Sequence, residues 1–262
     1  MIQSTFRQRI GALLLLAGAV AGCTAPSPGA EFNDPYEATN RQVHAFNKGL
    51  DTAVLRPLGQ VVAAAPRGTY QPVVNFSDNL SLPGMVVNGV LQGDIDGAAT
   101  NSMRFIVNST IGMFGIHDWA SDFGLHEQKT DFGETLAVWG VPEGAYLELP
   151  LIGPSTERDA VGEVVDILLD PLDYFGAPDV TTTSRAARAG EIVVERGMFS
   201  RTVDSVLYDS ADSYAQTRLL YLQNRRFELG EEAGPGQVDP YAVDPYGSTD
   251  PYAIDPYQEL SE

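Results

Sequence analysis

The chain has 262 residues, enough for one large or two modest domains with a sizeable core. Its 26 glycines and 17 prolines point to many short elements joined by turns. With 16 basic against 35 acidic residues the formal charge is −19, which argues against nucleic acid as a partner, because phosphate affinity comes from Lys and Arg; a basic or zwitterionic partner is easier to accommodate.

At the N-terminus, Arg7 and Arg9 precede an apolar run from Ile10 to Val20, and Ala21 and Gly22 lead into Cys23, the layout of a secretory signal over residues 1–22. The run is far shorter than the about 20 residues a membrane span needs. Removing the segment leaves 14 basic against 35 acidic residues, or −21. Cys23 is the single cysteine, so no intrachain disulfide forms. The Val-Ala-Gly-Cys ending resembles a bacterial lipobox, in which the thiol takes a diacylglycerol and the mature N-terminus an acyl chain; an ordinary signal peptide with an accidental cysteine is the alternative. Residues 23–33, rich in Pro, Ser and Ala, read as a flexible tether.

A helical body is expected over residues 34–227. Asp34-Pro35-Tyr36-Glu37 offers an N-cap acceptor, a proline at the first helical position and an acid behind it. Val43, Phe46 and Leu50 then recur at helical spacing, and the helix is expected to end near Gly49. Pro57, Pro66, Pro72 and Pro83 are expected to divide the next forty residues into short helices. Met85–Leu91 and Phe105–Ile116 are apolar with isolated polar residues, consistent with a buried helical hairpin or with a surface lying in a lipid interface. Between them Asp94 and Asp96 open a helix whose Gly97 and Ala98 allow close packing. His117 to Thr130 reads as a polar loop.

From Asp131 to Asp159 aromatic residues, glycines and prolines are too dense for one regular element. Gly140, Pro142 and Gly144 are residues that reverse a chain, and Leu136, Val138, Tyr146, Leu147 and Leu149 flank them as the arms of a short hairpin. Thr156 and Asp159 form a capping-box-like pair, and Val161, Val164, Val165, Leu168 and Leu169 follow on one helical face until Pro171. After a loop through Gly176 and Pro178, helix is expected from Ser184 to Phe227, with Ile192, Val193, Phe199, Val203, Val206 and Leu207 on one stripe and Arg218, Arg225 and Arg226 toward its end. Residues 228–262 carry nine acidic residues, no basic one and four Asp-Pro-Tyr triplets, the composition of a disordered acidic tail.

Motifs for catalysis are missing: no Gly-x-Ser-x-Gly, His-Glu-x-x-His, P-loop or Gly-x-Gly-x-x-Gly occurs. His44, His117 and His126 lie on different elements, away from carboxylates at ligand spacing, so neither a catalytic residue nor a metal ligand is assigned. Ser155, beside a proline at a helix start, is expected to cap backbone rather than to act as a nucleophile.

DFGETLAVWGV, EGAYLELPLIGPSTERD and VVDILLDPLDYF, with EATNR and AFN nearer the N-terminus, resemble the VacJ/MlaA family of phospholipid-binding outer-membrane lipoproteins over roughly Asn33 to Arg226. The resemblance implies an all-α, ring-like bundle with one short hairpin loop, lying in the inner leaflet of the outer membrane on the periplasmic face. It implies a polar-walled passage for phospholipid head groups, a porin trimer as partner, and a soluble periplasmic carrier that receives phospholipid removed from the outer leaflet. By the same carry-over Gly140 and Gly144 flank the loop that controls the passage, with Phe46 and Asn47 as further control residues; a core aromatic and a helix C-cap are their plain alternatives. Pro142 and Ala145 stand where the family often has Gly and Pro, and Thr24 after the cysteine suits outer-membrane sorting. No cofactor is implied beyond the lipid on Cys23. The reading from a different class is a structural lipoprotein that braces the envelope or a porin.

Overall fold

The computed structural model describes residues 32–172 and 178–230. The signal segment, Cys23 and most of the tether, and the tail from residue 231, lie outside the described residues. Those residues form two compact units that divide between Arg218 and Leu219. The first is helical apart from one two-stranded antiparallel sheet, which places it in the all-α class.

Helix α1 (Glu37–Leu50) starts one residue after the Asp-Pro-Tyr turn, with Tyr36 in the cap position and no side-chain cap. Asp34 is not the N-cap, because its carboxylate is taken by Asn40, Tyr214 and Arg218 instead. Nor does the helix stop at Gly49: it runs through a π-helical turn (Asp51–Leu55) into α2 (Arg56–Ala64). The apolar stripe is not the buried face. Phe46 is exposed, while Asn40, His44 and Asp51 are buried, spaced so that one side of the helix faces inward.

What that polar face covers is the edge of the sheet. Strands β1 (Tyr146–Leu149) and β2 (Gly153–Thr156) pair from Tyr146 opposite Thr156 to Leu149 opposite Gly153. The Asn40 amide donates to the Tyr146 carbonyl at 3.0 Å and accepts the Glu148 N–H at 3.0 Å. Asn47 donates to the Leu149 carbonyl at 2.9 Å and accepts the Leu151 N–H at 2.9 Å. Two amide side chains thus satisfy backbone groups that an open strand would expose to a foreign partner.

Helix α3 (Arg67–Gln92) corrects a second expectation: Pro72 and Pro83 lie inside it rather than between helices. Each removes one backbone donor but fits the helical φ, and tertiary packing carries the helix across both. Gly93, at φ 81°, ends it, and Asp94 caps α4 (Ile95–Thr110) by accepting the Gly97 N–H at 3.0 Å. The two helices pack closely at Gly89, where an added Cβ would lie 3.2 Å from that of Ala98.

Helix α5 (Trp119–Asp122) interrupts the expected polar loop, and α6 (Phe132–Val138), capped by Asp131, occupies the first supposed hairpin arm. Gly140 and Gly144 therefore sit in the connection from α6 to β1, and the hairpin reverses at Pro150–Ile152, where Leu151 takes φ 71°. Helix α7 (Glu157–Leu169) begins as expected: Thr156 accepts the Asp159 N–H at 3.1 Å and donates its hydroxyl to the Asp159 carboxylate at 2.8 Å. Ser155 does not cap it; buried in β2, its hydroxyl bonds the neighbouring Thr156 carbonyl.

Helix α8 (Pro178–Met198) starts ahead of Ser184, and the single long C-terminal helix is instead α8, α9 (Ser200–Asp204), a second π turn (Ser205–Asp209) and α10 (Ser213–Glu228). The two π turns face each other across one ionic cluster. Asp51 pairs with Arg196 at 2.6 and 3.0 Å and takes the Tyr208 hydroxyl at 2.7 Å, while Asp204 holds Arg196 and Arg56. The second unit contains, among the described residues, the end of α10 and the residues to Gly230; within it Asn224 and Arg225 bond Glu228.

Candidate functional site

A cavity of about 390 Å³ opens between α3, α7 and α8. Ser81, Gly84, Met85 and Asn88 supply the α3 wall, recurring at i, i+3, i+4 and i+7. Asp166 and Asp170 come from the end of α7, Thr130 from the loop before α6, and Arg188, Glu191, Ile192 and Glu195 from α8 at the same helical spacing.

Two of these walls are fixed by hydrogen bonds. Asn88 donates to Asp166 at 2.8 Å, Asp166 also accepts the Phe132 N–H at 2.9 Å, and Thr135 donates its hydroxyl to the Asn88 side-chain Oδ1 at 3.0 Å. On the α8 side, Ser77 donates to Glu191 at 2.5 Å. Arg188 reaches Asp170 only at 3.5 Å and is 45 % exposed, so its guanidinium is loosely held.

Carboxylates outnumber cations around this space, and burial acts on them together. Desolvation pushes the Asp166, Glu163 and Glu195 carboxyls above their ordinary values. Burial, with Glu127 and Glu191 close by, pushes Asp78 up to about 7. Lys129 acts in the opposite sense on Asp78, Glu127 and Glu195 without cancelling the effect.

The other side of α3 is of opposite character. Phe76 and Leu80, with Phe105 from α4, Met113, Phe114 and Ile116 from the turn after it, and Leu172, line an apolar groove of about 620 Å³. Asn79 lies at its edge and donates to Ser109 at 3.1 Å. Outward from both spaces, Val87, Val90, Leu91, Ile95, Met103, Ile106 and Ile111 are exposed, as are Met113 and Phe114 at the groove, so Met85–Leu91 and Phe105–Ile116 form an apolar surface rather than a buried hairpin. No helix among the described residues is long and apolar enough to cross a membrane.

The residues singled out from sequence do not gather at the cavity. Asn47 clamps the hairpin turn and is not a C-cap; Phe46 is 56 % exposed and so not a core aromatic. Gly140 and Gly144 do take positive φ, 83° and 77°, but in the connection ahead of the hairpin. His44 is buried between Glu148, at 3.3 Å, and Ser213, at 3.0 Å, a structural bridge from α1 to β1. Among the described residues no three His, Cys, Asp or Glu side chains are placed to hold a metal ion. Sequence reasoning missed Asn88, Asp166, Arg188, Glu191 and Glu195. The signals were a lone asparagine in the run Met85–Leu91 and the i, i+3, i+7 spacing of Arg188, Glu191 and Glu195.

Residues 32–228 match the family model for the MlaA lipoprotein. The chain belongs to the MlaA lipoprotein family. It is 35 % identical over 190 residues to an uncharacterized protein of Rickettsia prowazekii (strain Madrid E), covering 72 % of this chain and 74 % of that one. Against the intermembrane phospholipid transport system lipoprotein MlaA it is 32 % identical for Shigella flexneri and 31 % for Escherichia coli (strain K12), each over 233 residues, covering 84 % of this chain and 88 % of theirs. A solved structure described as the structural basis for maintenance of bacterial outer membrane lipid asymmetry superposes with a TM-score of 0.63 at 30 % identity, covering 75 % of this chain and 98 % of that one. The names of those two MlaA relatives place them in intermembrane phospholipid transport, and the solved structure is described in terms of outer membrane lipid asymmetry.

Proposed function

We propose that this protein removes mislocalised phospholipid from the outer leaflet of the outer membrane and hands it to a soluble periplasmic carrier for return across the envelope. One observation carries the reading: a charged, hydrogen-bonding cavity lies behind helices whose outer faces are apolar and exposed. In a body set in hydrocarbon, that arrangement lets a head group meet charged and hydrogen-bonding side chains while the acyl chains stay in lipid. The relatives named as phospholipid transport lipoproteins support it.

In this reading Cys23 carries a diacylglycerol and an N-acyl chain and holds the protein on the periplasmic face of the outer membrane. Several acyl chains give stable anchoring at about 0.8 kcal/mol per buried methylene. A porin trimer is the partner that receives the apolar outer faces of α3 and α4, and no chemical step on the lipid is assigned to any residue.

The test is extraction of the full-length protein in mild detergent, mass spectrometry of the lipid that comes with it, and fatty-acid labelling of native and Cys23→Ala protein. Phospholipid in the native sample and label lost in Cys23→Ala are expected. A protein free of phospholipid would move the assignment to an envelope brace, and label retained in Cys23→Ala would remove the anchor.

A further inference from the structure

We infer that the cavity between α3, α7 and α8 selects phospholipids with a primary-amine head group, the phosphatidylethanolamine class, over anionic ones. The inference rests on the phospholipid reading and adds a specificity to it. Its basis is the order of charge along α8. Arg188, loosely paired and 45 % exposed, comes first; Glu191 and Glu195 follow three and seven residues on, facing the same space.

With a helical rise of about 1.5 Å per residue, Glu191 stands about 4.5 Å beyond Arg188 along the axis. The two-carbon link of an ethanolamine head group spans such a distance between its phosphate and its ammonium. The Arg188 guanidinium can then take the phosphate oxygens, and Glu191 and Glu195 can accept the ammonium N–H bonds. An anionic glycerol head group would place its phosphate on Arg188 equally well, but it brings no cation to the carboxylates.

Two other observations narrow the class. Asp166 and Asp170 face α8 across the cavity, so an added cation is met by carboxylates from both sides. Among the described residues the polar partners lining the space besides Arg188 are carboxylates, hydroxyls and an amide, which accept hydrogen bonds from a primary ammonium, whereas a quaternary ammonium donates none. At about 390 Å³ the space falls in the range of about 300–1,000 Å³ typical of small-ligand sites.

The experiment equilibrates the detergent-solubilised full-length protein with vesicles of phosphatidylethanolamine, phosphatidylglycerol and phosphatidylcholine in equal parts, then quantifies bound lipid by mass spectrometry. The native protein is expected to be enriched in phosphatidylethanolamine over each of the others by about fivefold, the effect of two partly exposed ion pairs. Glu191→Gln with Glu195→Gln should return the ratio to that of the vesicles. Glu195→Gln alone leaves the Ser77–Glu191 contact intact and should lower the enrichment part-way. A bound mixture equal to the vesicle mixture, or an enrichment that survives the double substitution, overturns the selection while leaving phospholipid binding standing. No bound phospholipid at all overturns both.

Discussion

Gly140 and Gly144 both take positive φ, yet a methyl group at each should have very different consequences. At Gly140, φ 83°, an added Cβ meets nothing within 4 Å, so Gly140→Ala costs only the left-handed backbone term of about 1–2 kcal/mol. At Gly144, φ 77°, the same atom lies 2.6 Å from Glu157 Oε2 and 2.8 Å from Glu157 Cβ. The carboxylate could swing aside, but it holds the Ala145 N–H at 3.1 Å, and Glu157 Cβ belongs to the first turn of α7 and cannot move alone. Losing a charge-assisted hydrogen bond adds about 1.5–3 kcal/mol and displacing Glu157 Cβ with its helical turn about 1–3 kcal/mol more, so Gly144→Ala should cost about 3.5–8 kcal/mol. Urea unfolding of both variants in one detergent, followed by circular dichroism, measures the difference. Pairing Gly144→Ala with Glu157→Gly removes the clashing atoms and should bring the cost down toward that of Gly140→Ala plus the lost hydrogen bond. Equal losses at the two glycines, or a double variant whose loss is the sum of its parts, would refute the steric argument.

Asp51→Ala should be the more damaging change in the ionic cluster, because it leaves Arg196 buried without its bidentate partner; a loss of about 3–5 kcal/mol is expected in the same unfolding assay, and a loss below about 1 kcal/mol would show the pair to be solvated. For Asp78 the sign follows from its raised pKa. The native state holds a proton that the unfolded chain releases near pH 4, so this group stabilises the fold below about pH 4 and its contribution is lost as pH rises toward about 7. Asp78→Asn should therefore flatten the stability profile between those limits and raise the melting temperature at pH 8; an unchanged profile would refute the assignment.

Local signals were legible in the sequence where a short motif decides the structure. Thr156 with Asp159 marked the start of α7, and Asp94 the start of α4, because a cap is made by residues three apart. Signals that depend on the far side of an element were not. The stripe of Val43, Phe46 and Leu50 was visible, but which face of α1 is buried is set by β1, about a hundred residues later, whose open edge takes Asn40 and Asn47. Prolines 72 and 83 broke no helix, since the packing of α3 on α4 and α8 outweighs two missing donors. The cavity was illegible for the same reason: Asn88, Asp166 and Glu191 converge only once three helices are in place.

Among the described residues, seventeen polar or charged side chains are buried against ten hydrophobic ones, while twenty-nine large hydrophobic ones face outward. Such a distribution alters the thermal signature of the molecule. The heat-capacity increment of unfolding and the denaturant slope both scale with newly uncovered apolar surface. Much of that surface is already uncovered in the folded chain, so both quantities should fall below the values usual for its length. Its urea transition would be shallow for that reason alone, and a surfactant that coats the native exterior more than the unfolded chain would shift the melting temperature upward by mass action.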